Sequence, residues 1–145
     1  MPVEPAAQPA AGQSADAAIL DAVRRTWGFD ALRPLQGEAI RAVLDRRHSL
    51  VVMPTGGGKS LFYQVPPLIA ARMTLVVSPL ISLMKDQVDG LRLSGYPAAA
   101  LHSGISADDQ RDIRAAALAG ELKLLFASPE RLLGDLATVR RLDIS

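Results

Sequence analysis

Apolar side chains recur along this chain in two rhythms, and the rhythm separates helices from strands. Ile19, Leu20, Val23 and Trp27 fall at the three-to-four spacing that lines one helix face, with Ser14 before them as N-cap and Gly28 after them as a terminating glycine. A second helix is expected from Pro34, which suits a first helical position, with Leu35, Ile40, Val43 and Leu44 on its buried side and Gln36 in its first turn. Leu50-Val51-Val52 is a short continuous apolar run of strand type. Lys59–Gln64 reads as helix up to Pro66-Pro67, which should kink or restart it. Met73–Val77 is the next strand. From Ser78-Pro79 the rhythm turns helical again, with Leu80, Leu83, Met84, Val88 and Leu91 on one face and Lys85, Asp86, Asp89 and Arg92 on the other. Ala98–Leu101 is a weaker strand. Ser106–Asp109 resembles a capping box, opening a helix through Ile113 that stops at Gly120. Leu122–Ala127 reads as a buried strand, followed by Ser128 as N-cap, Pro129 at the first helical position and Glu130 in the first turn. Strands alternating with helices at this spacing predict an α/β fold with a parallel sheet flanked by helices. In such sheets function collects at the strand C-termini, here the loops after 52, 77, 101 and 127.

Composition narrows the picture. The 145 residues fit one domain with a real core, and 49% apolar with 21% charged side chains is the balance of a globular protein. Sixteen basic and fifteen acidic residues give a formal net charge of +1, so any nucleic-acid binding has to come from local placement. Cysteine is absent, which excludes a disulfide framework or a thiolate zinc site within these residues, and His48 and His102 are read as isolated surface or loop residues. No apolar stretch is long enough to span a bilayer and no signal-like N-terminus is present, so no membrane partner and a cytoplasmic setting are expected. Residues 1–13 are Pro, Ala, Gln and Gly with almost no large apolar side chain; they are expected to be a disordered tail ahead of a domain spanning 14–145.

The stretch with the clearest chemistry is Met53–Ser60, MPTGGGKS, set between the strand-like run and a helix expected to start near Gly58. Glycine admits positive φ and lets successive N–H groups approach an anion, and a helix start adds unpaired N–H groups and the positive end of its dipole. Lys59 suits the β/γ-phosphates and the Ser60 hydroxyl suits Mg²⁺. The strict pattern asks for glycine at position 53, where Met stands, so only the second half of the general motif is met.

Four segments in order carry a family resemblance: Trp27–Gln36 (WGFDALRPLQ), Val51–Pro66 (VVMPTGGGKSLFYQVP), Val76–Leu91 (VVSPLISLMKDQVDGL) and Phe126–Leu133 (FASPERLL). They resemble motifs 0, I, Ia and Ib of the first motor domain of RecQ-type ATP-dependent DNA helicases. The resemblance covers roughly Asp16 to Ser145; Met53 is a variant found in that family, whereas Leu32 stands where the family usually has an aromatic residue. It implies a partial RecA-like P-loop domain. ATP would be held by Thr55, Gly56, Gly57, Gly58, Lys59 and Ser60, with Lys59 and Ser60 catalytic and Ser60 on Mg²⁺. Phe29 would stack on adenine while Arg33 and Gln36 hydrogen-bond its edge. Ser78, Pro79, Lys85, Ser103, Gly104, Ser128, Pro129 and Arg131 would contact single-stranded or partly duplex DNA, through phosphate.

The function so implied is ATP-driven translocation along single-stranded DNA and strand separation in repair and recombination; the alternative is a non-catalytic nucleotide- or DNA-binding remnant. The resemblance further implies that the strand bearing the family's DEAH acids should begin at Leu142–Ser145, so the chain alone is expected to be inactive. In the family's sheet order the phosphate-loop strand does not pair with the motif Ia strand. The run Ser49–Val52 is therefore expected beside a gap, displaced or weakly paired, while the other three strands pair with one another. Isolated residues 1–145 are expected to be aggregation-prone or molten.

Overall fold

The computed structural model describes residues 11–144, with side chains from residue 14 onward. Helix α1 covers Ala11–Trp27 from the first described residue, so Ser14 lies inside the helix and is not its cap; the expected tail otherwise falls outside the described residues. Its stop is as expected. Gly28 takes φ +74 and its N–H reaches the Arg24 carbonyl at 2.9 Å. Helix α2, Gln36–Leu44, begins two residues after Pro34, because Arg33–Gln36 forms a turn and Leu35 adopts a left-handed φ of 69°. Pro34 therefore belongs to the turn, and Leu35, expected on the buried side, is 54% exposed.

Two four-residue helices follow, α3 over Leu61–Gln64 and α4 over Pro66–Ile69, so the proline pair restarts the helix as its missing N–H and fixed φ require. Three strands come next in the chain: β1 (Thr74–Val77), β2 (Ala98–Leu101) and β3 (Leu124–Ala127). They form one parallel sheet in the order β1-β3-β2, with Val77 level with Ala127 and Ala127 level with Leu101. Central β3 is buried on both faces, which is why it reads as the unbroken apolar run Leu-Leu-Phe-Ala.

Helix α5 (Ile81–Leu93) covers one face of the sheet with Met84, Val88 and Leu91 against Leu124, Phe126, Ala98 and Ala100. Leu80 and Leu83, expected on that face, are 57% and 47% exposed, because the helix starts at Ile81 and turns them outward. Helix α6 (Ala107–Leu118) covers the other face; its Ala117 packs with Ala99, Leu125 and Met73. Ser106 caps the helix as expected of the first half of a capping box: the Asp109 N–H donates to its hydroxyl at 3.0 Å, and that hydroxyl, instead of the Ser106 N–H, donates to the Asp109 carboxylate at 2.6 Å. Helices α7 (Pro129–Gly134) and α8 (Leu136–Val139) follow, tied to α6 by the Arg114–Asp135 pair at 2.5 Å. The Asp135 carboxyl is held below its ordinary range, chiefly by the Thr138 hydroxyl and further by Arg114.

The strand expected at Ser49–Val52 is absent from the sheet. Leu50 is 90% and Val52 82% exposed, and none of the four residues joins a ladder among the described residues. An apolar run becomes a strand only where a neighbour accepts its N–H groups and offers carbonyls in return, and none lies beside it. The remaining three strands pair as the family's sheet order led us to expect. On the outer edge of β1, Met73 bridges Ile144 in parallel and its N–H reaches the Asp143 carbonyl at 3.1 Å, so the chain has already turned back alongside β1 where a further strand was expected to begin.

Candidate functional site

The loop Met53–Ser60 needs each of its glycines for a different reason. Gly56 and Gly58 take φ +81 and +78, and Gly57 lies so close to the Met53 side chain and the Pro54 carbonyl that an added Cβ would stand 3.0 Å from both. A Cβ on Gly58 would run into the Gln36 side-chain amide. The Gly57 N–H closes the turn on the Pro54 carbonyl at 3.1 Å, and the Lys59 ammonium reaches back across it to the Met53 carbonyl at 3.2 Å. Position 53 thus serves the loop twice: its backbone carbonyl receives the lysine, and its Met side chain lies against Gly57. Thr55 and Lys59 are exposed and Ser60 half-buried.

The helix expected near Gly58 starts at Leu61. Between them the N–H groups of Leu61, Phe62 and Tyr63 reach back three residues, to Gly58, Lys59 and Ser60, so Lys59 and Ser60 are wound as tight turns. From Gln64 the bond is four residues back, to Ser60 at 3.1 Å.

Motif 0 is fastened to this loop. The Arg33 guanidinium donates to the Gly56 carbonyl, and the Gln36 amide donates to the Gly58 carbonyl at 3.1 Å while its own oxygen accepts from the Arg33 N–H at 2.7 Å. The base-reading candidates Arg33 and Gln36 and the phosphate-loop residues Gly56–Gly58 therefore form one cluster. Gln36 is only 3% exposed, so its amide faces the loop rather than standing free as a polar helix residue. Phe29 is 53% exposed and outside the three apolar clusters, so it is not a core residue.

The DNA candidates gather at the C-terminal edge of the sheet. Because Val77, Ala127 and Leu101 are level, Ser78, Ser128 and His102 leave the three strands side by side; the Ser78 N–H donates to the Ala127 carbonyl at 3.1 Å and the Ser128 N–H to the Leu101 carbonyl at 3.0 Å. The Ser78 hydroxyl accepts the Leu80 N–H at 3.2 Å, shaping the entry to α5. Lys85 is exposed and lines, with Gly104, a cleft of about 510 Å³ between α5 and α6 whose walls also carry Asp89, Asp109 and Asp112. Pro79 and Ser103 are exposed and Pro129 half-buried. Ser128 stands at the N-cap position of α7, but its hydroxyl makes no capping hydrogen bond, and the residue is 1% exposed beneath the strand ends. Arg131 is half-buried and lines an apolar cavity on the α6 side of the sheet, with Leu75, Leu101 and Arg114, so it does not share a surface with Lys85.

His102 lies in a loop, as read, but not at the surface. The residue is 8% exposed, and its Nδ1 accepts the Gly104 N–H at 3.0 Å, folding Ser103-Gly104 over the ring. A side chain at Gly104 would meet that ring at 3.1 Å. Three further residues near the site were not singled out: Gln64, Gln87 and Tyr96. The Tyr96 hydroxyl donates to the Gln64 carbonyl at 2.6 Å, and burial keeps its pKa well above the ordinary tyrosine range, so it stays a donor. Only the polar character of Gln64 in an otherwise apolar run after the loop offered a hint in the sequence.

A parallel sheet with helices on both faces, a glycine-rich phosphate loop and polar strand ends at one edge define a RecA-like helicase domain. Comparison with known proteins agrees. The family model for DEAD/DEAH box helicases matches residues 33–144, and the chain belongs to that family. Within it the sequence is of the RecQ type. The chain is 50% identical over 115 residues to the ATP-dependent DNA helicase RecQ of Synechocystis sp., and 45% identical over 114 residues to that of Haemophilus influenzae; each alignment covers 79% of this chain. The chain spans only 24% and 18% of the length of those two relatives. Among solved structures, a hypothetical ATP-dependent RNA helicase from Sulfolobus tokodaii superposes with a TM-score of 0.62 at 26% identity, over 88% of this chain and 38% of that one. The RNA helicase Prp28 from Chaetomium thermophilum, solved bound to ADP, gives 0.59 at 24% identity over 99% of this chain and 37% of that one, and speaks for the fold alone.

Proposed function

We propose that residues 14–145 hold ATP as part of a DNA helicase of the RecQ type, acting in the cytoplasm in repair and recombination. The observation that carries this reading is the fastening of Arg33 and Gln36 onto the Gly56 and Gly58 carbonyls, which joins the base-reading segment to the phosphate loop. Those residues fit a nucleotide. Positive φ at Gly56 and Gly58 frees backbone N–H groups for phosphate oxygens, and the Lys59 ammonium exchanges the Met53 carbonyl for a β/γ-phosphate. Ser60 would hold Mg²⁺, which supplies charge neutralisation on the phosphates. Phe29 offers an open aromatic face to adenine, and Gln36 can turn its amide from Gly58 to the base edge, an amide being both donor and acceptor. Single-stranded DNA would lie over Ser78, Pro79, Lys85, Ser103 and Gly104 with Pro129 at its side, bound through phosphate, which is how a nearly neutral domain takes a polyanion. DNA is favoured over RNA because the relatives sharing half to nearly half of the aligned sequence are DNA helicases, whereas the RNA helicases match at fold level.

The test is Lys59→Ala in the natural protein that carries this chain, purified whole. Removing a charge aimed at the transferring phosphate costs several kcal/mol of transition-state stabilisation, so ATP turnover should fall by about a thousandfold or more. Turnover within about tenfold of the unmutated protein would sink the assignment.

A further inference from the structure

Between the phosphate loop and helix α5 runs a pair of amide side chains that neither packing nor the nucleotide chemistry explains. Gln64 is the last residue of α3, four after Ser60, and only 5% exposed. Its amide donates to the Gln87 side-chain oxygen at 3.3 Å, and its backbone carbonyl accepts the buried Tyr96 hydroxyl at 2.6 Å. Val65, Pro66 and Pro67 behind it are fully buried. Gln87 sits in the middle of α5, two residues from Lys85, on the helix that Ser78 and Pro79 introduce. An apolar side chain would fill the position of Gln64 without the cost of burying an amide, and would keep the backbone carbonyl for Tyr96, so the side-chain bond to Gln87 is what calls for glutamine there.

We infer that Gln64 and Gln87 are positioning residues that couple nucleotide in the loop to DNA on α5; the inference rests on the proposed function above. Coupling requires an element that can take a second arrangement, and the winding of the loop offers one. Lys59 and Ser60 are wound with three-residue hydrogen bonds, whereas from Gln64 the winding is that of an α-helix. Phosphate at the N–H groups of this segment favours extending the α-helical winding back toward Gly58, because that aligns those groups on the anion. Helix α3 is a single turn of four residues, so a rewinding at Lys59–Ser60 would reach Gln64 within that turn. Val65–Pro67 lie buried behind it, so the inferred shift is directed to the Gln64 amide and from there to α5, which carries Lys85. Linkage makes the effect reciprocal, so DNA on α5 should favour nucleotide by the same factor.

The experiment uses the natural protein that carries this chain, purified whole, with a non-hydrolysable ATP analogue plus Mg²⁺ and an oligo(dT) single strand as probes. Each probe is titrated alone and in the presence of the other, in the unmutated protein and in Gln64→Met, Gln87→Leu and Gln87→Glu. Unmutated protein should show each probe tightening the other by about fivefold or more. Gln64→Met and Gln87→Leu should bring that factor to within about twofold of one while each probe alone binds within about threefold of the unmutated affinity. Gln87→Glu keeps an acceptor for the Gln64 amide and should keep the linkage. If Gln64→Met does not fold, Gln87→Leu, at a half-buried position, carries the test. Binding of both probes without linkage, linkage unchanged in the two apolar variants, or its loss in Gln87→Glu as well would overturn this inference alone. Failure of the unmutated protein to bind either probe would overturn the proposed function and this inference with it.

Discussion

At the scale of single residues, the loop separates two kinds of glycine. Gly28 and Gly58 share nearly the same positive φ, +74 and +78, yet a Cβ on Gly28 meets nothing within 4 Å whereas one on Gly58 meets the Gln36 amide. Gly28→Ala should therefore cost only the left-handed backbone penalty, about 1–2 kcal/mol of stability, and leave nucleotide binding alone. Gly58→Ala pays the same penalty and also pushes Gln36 from the loop, so affinity for ATP should fall by about tenfold or more and the preference for ATP over GTP should shrink. Parallel titrations of ATP and GTP on the two variants check this. Equal losses in both would mean that Gln36 and Gly58 act on stability and not on the base. At Met53 the carbonyl that Lys59 reaches is one that glycine would also offer, so what methionine adds is its side chain against Gly57.

At the scale of elements, α5 and α7 carry the two cations expected on DNA, and their settings differ. Lys85 is exposed beside Gly104 at the strand ends, whereas Arg131 is half-buried over the cavity on the other face. Lys85→Ala should lower the slope of log affinity for single-stranded DNA against log salt by about 0.7, one counterion's worth, equally for all sequences. Arg131→Ala should change it less. An unchanged slope for Lys85→Ala would return that lysine to the solvated surface, and equal drops for both would mean that α7 turns Arg131 outward when DNA binds. Elements were legible where local chemistry decides them. The Ser106 cap, the stops at Gly28 and Gly120 and the restart at Pro66-Pro67 all follow from side-chain oxygens, positive φ and a missing N–H, and each is found in the structure. What depends on neighbours was not legible. Periodicity could not say that Leu80 and Leu83 face outward, that His102 is buried under its own turn, or that the amide of Gln36 is spent on Gly58, because none of these contacts leaves a mark in the spacing of apolar residues.

At the scale of the whole molecule, a three-stranded sheet is covered on both faces while the loop that should do the chemistry hangs from a segment outside it. Strand β3 has neighbours on both edges and is buried on both faces, so its amides open only with the sheet itself. Ser49–Val52 has no ladder, and Leu50 and Val52 stand almost wholly in solvent. The loop is held instead by side chains, Arg33 and Gln36 on its glycine carbonyls, and by Leu61 in the apolar cluster of α1 and α2. Native-state hydrogen exchange of the described arrangement should therefore find the amides of Leu50–Val52 exchanging near the unprotected rate, while those of Leu125–Ala127 are slowed by a factor close to that of global opening. For a domain of ordinary stability, about 5–15 kcal/mol, that contrast is at least a thousandfold. A nucleotide on the loop should narrow it, since ligand stabilises whatever it orders. Equal and strong protection of both segments would show that Leu50–Val52 is paired within a sheet, and the loop would then be anchored by backbone rather than by Arg33 and Gln36.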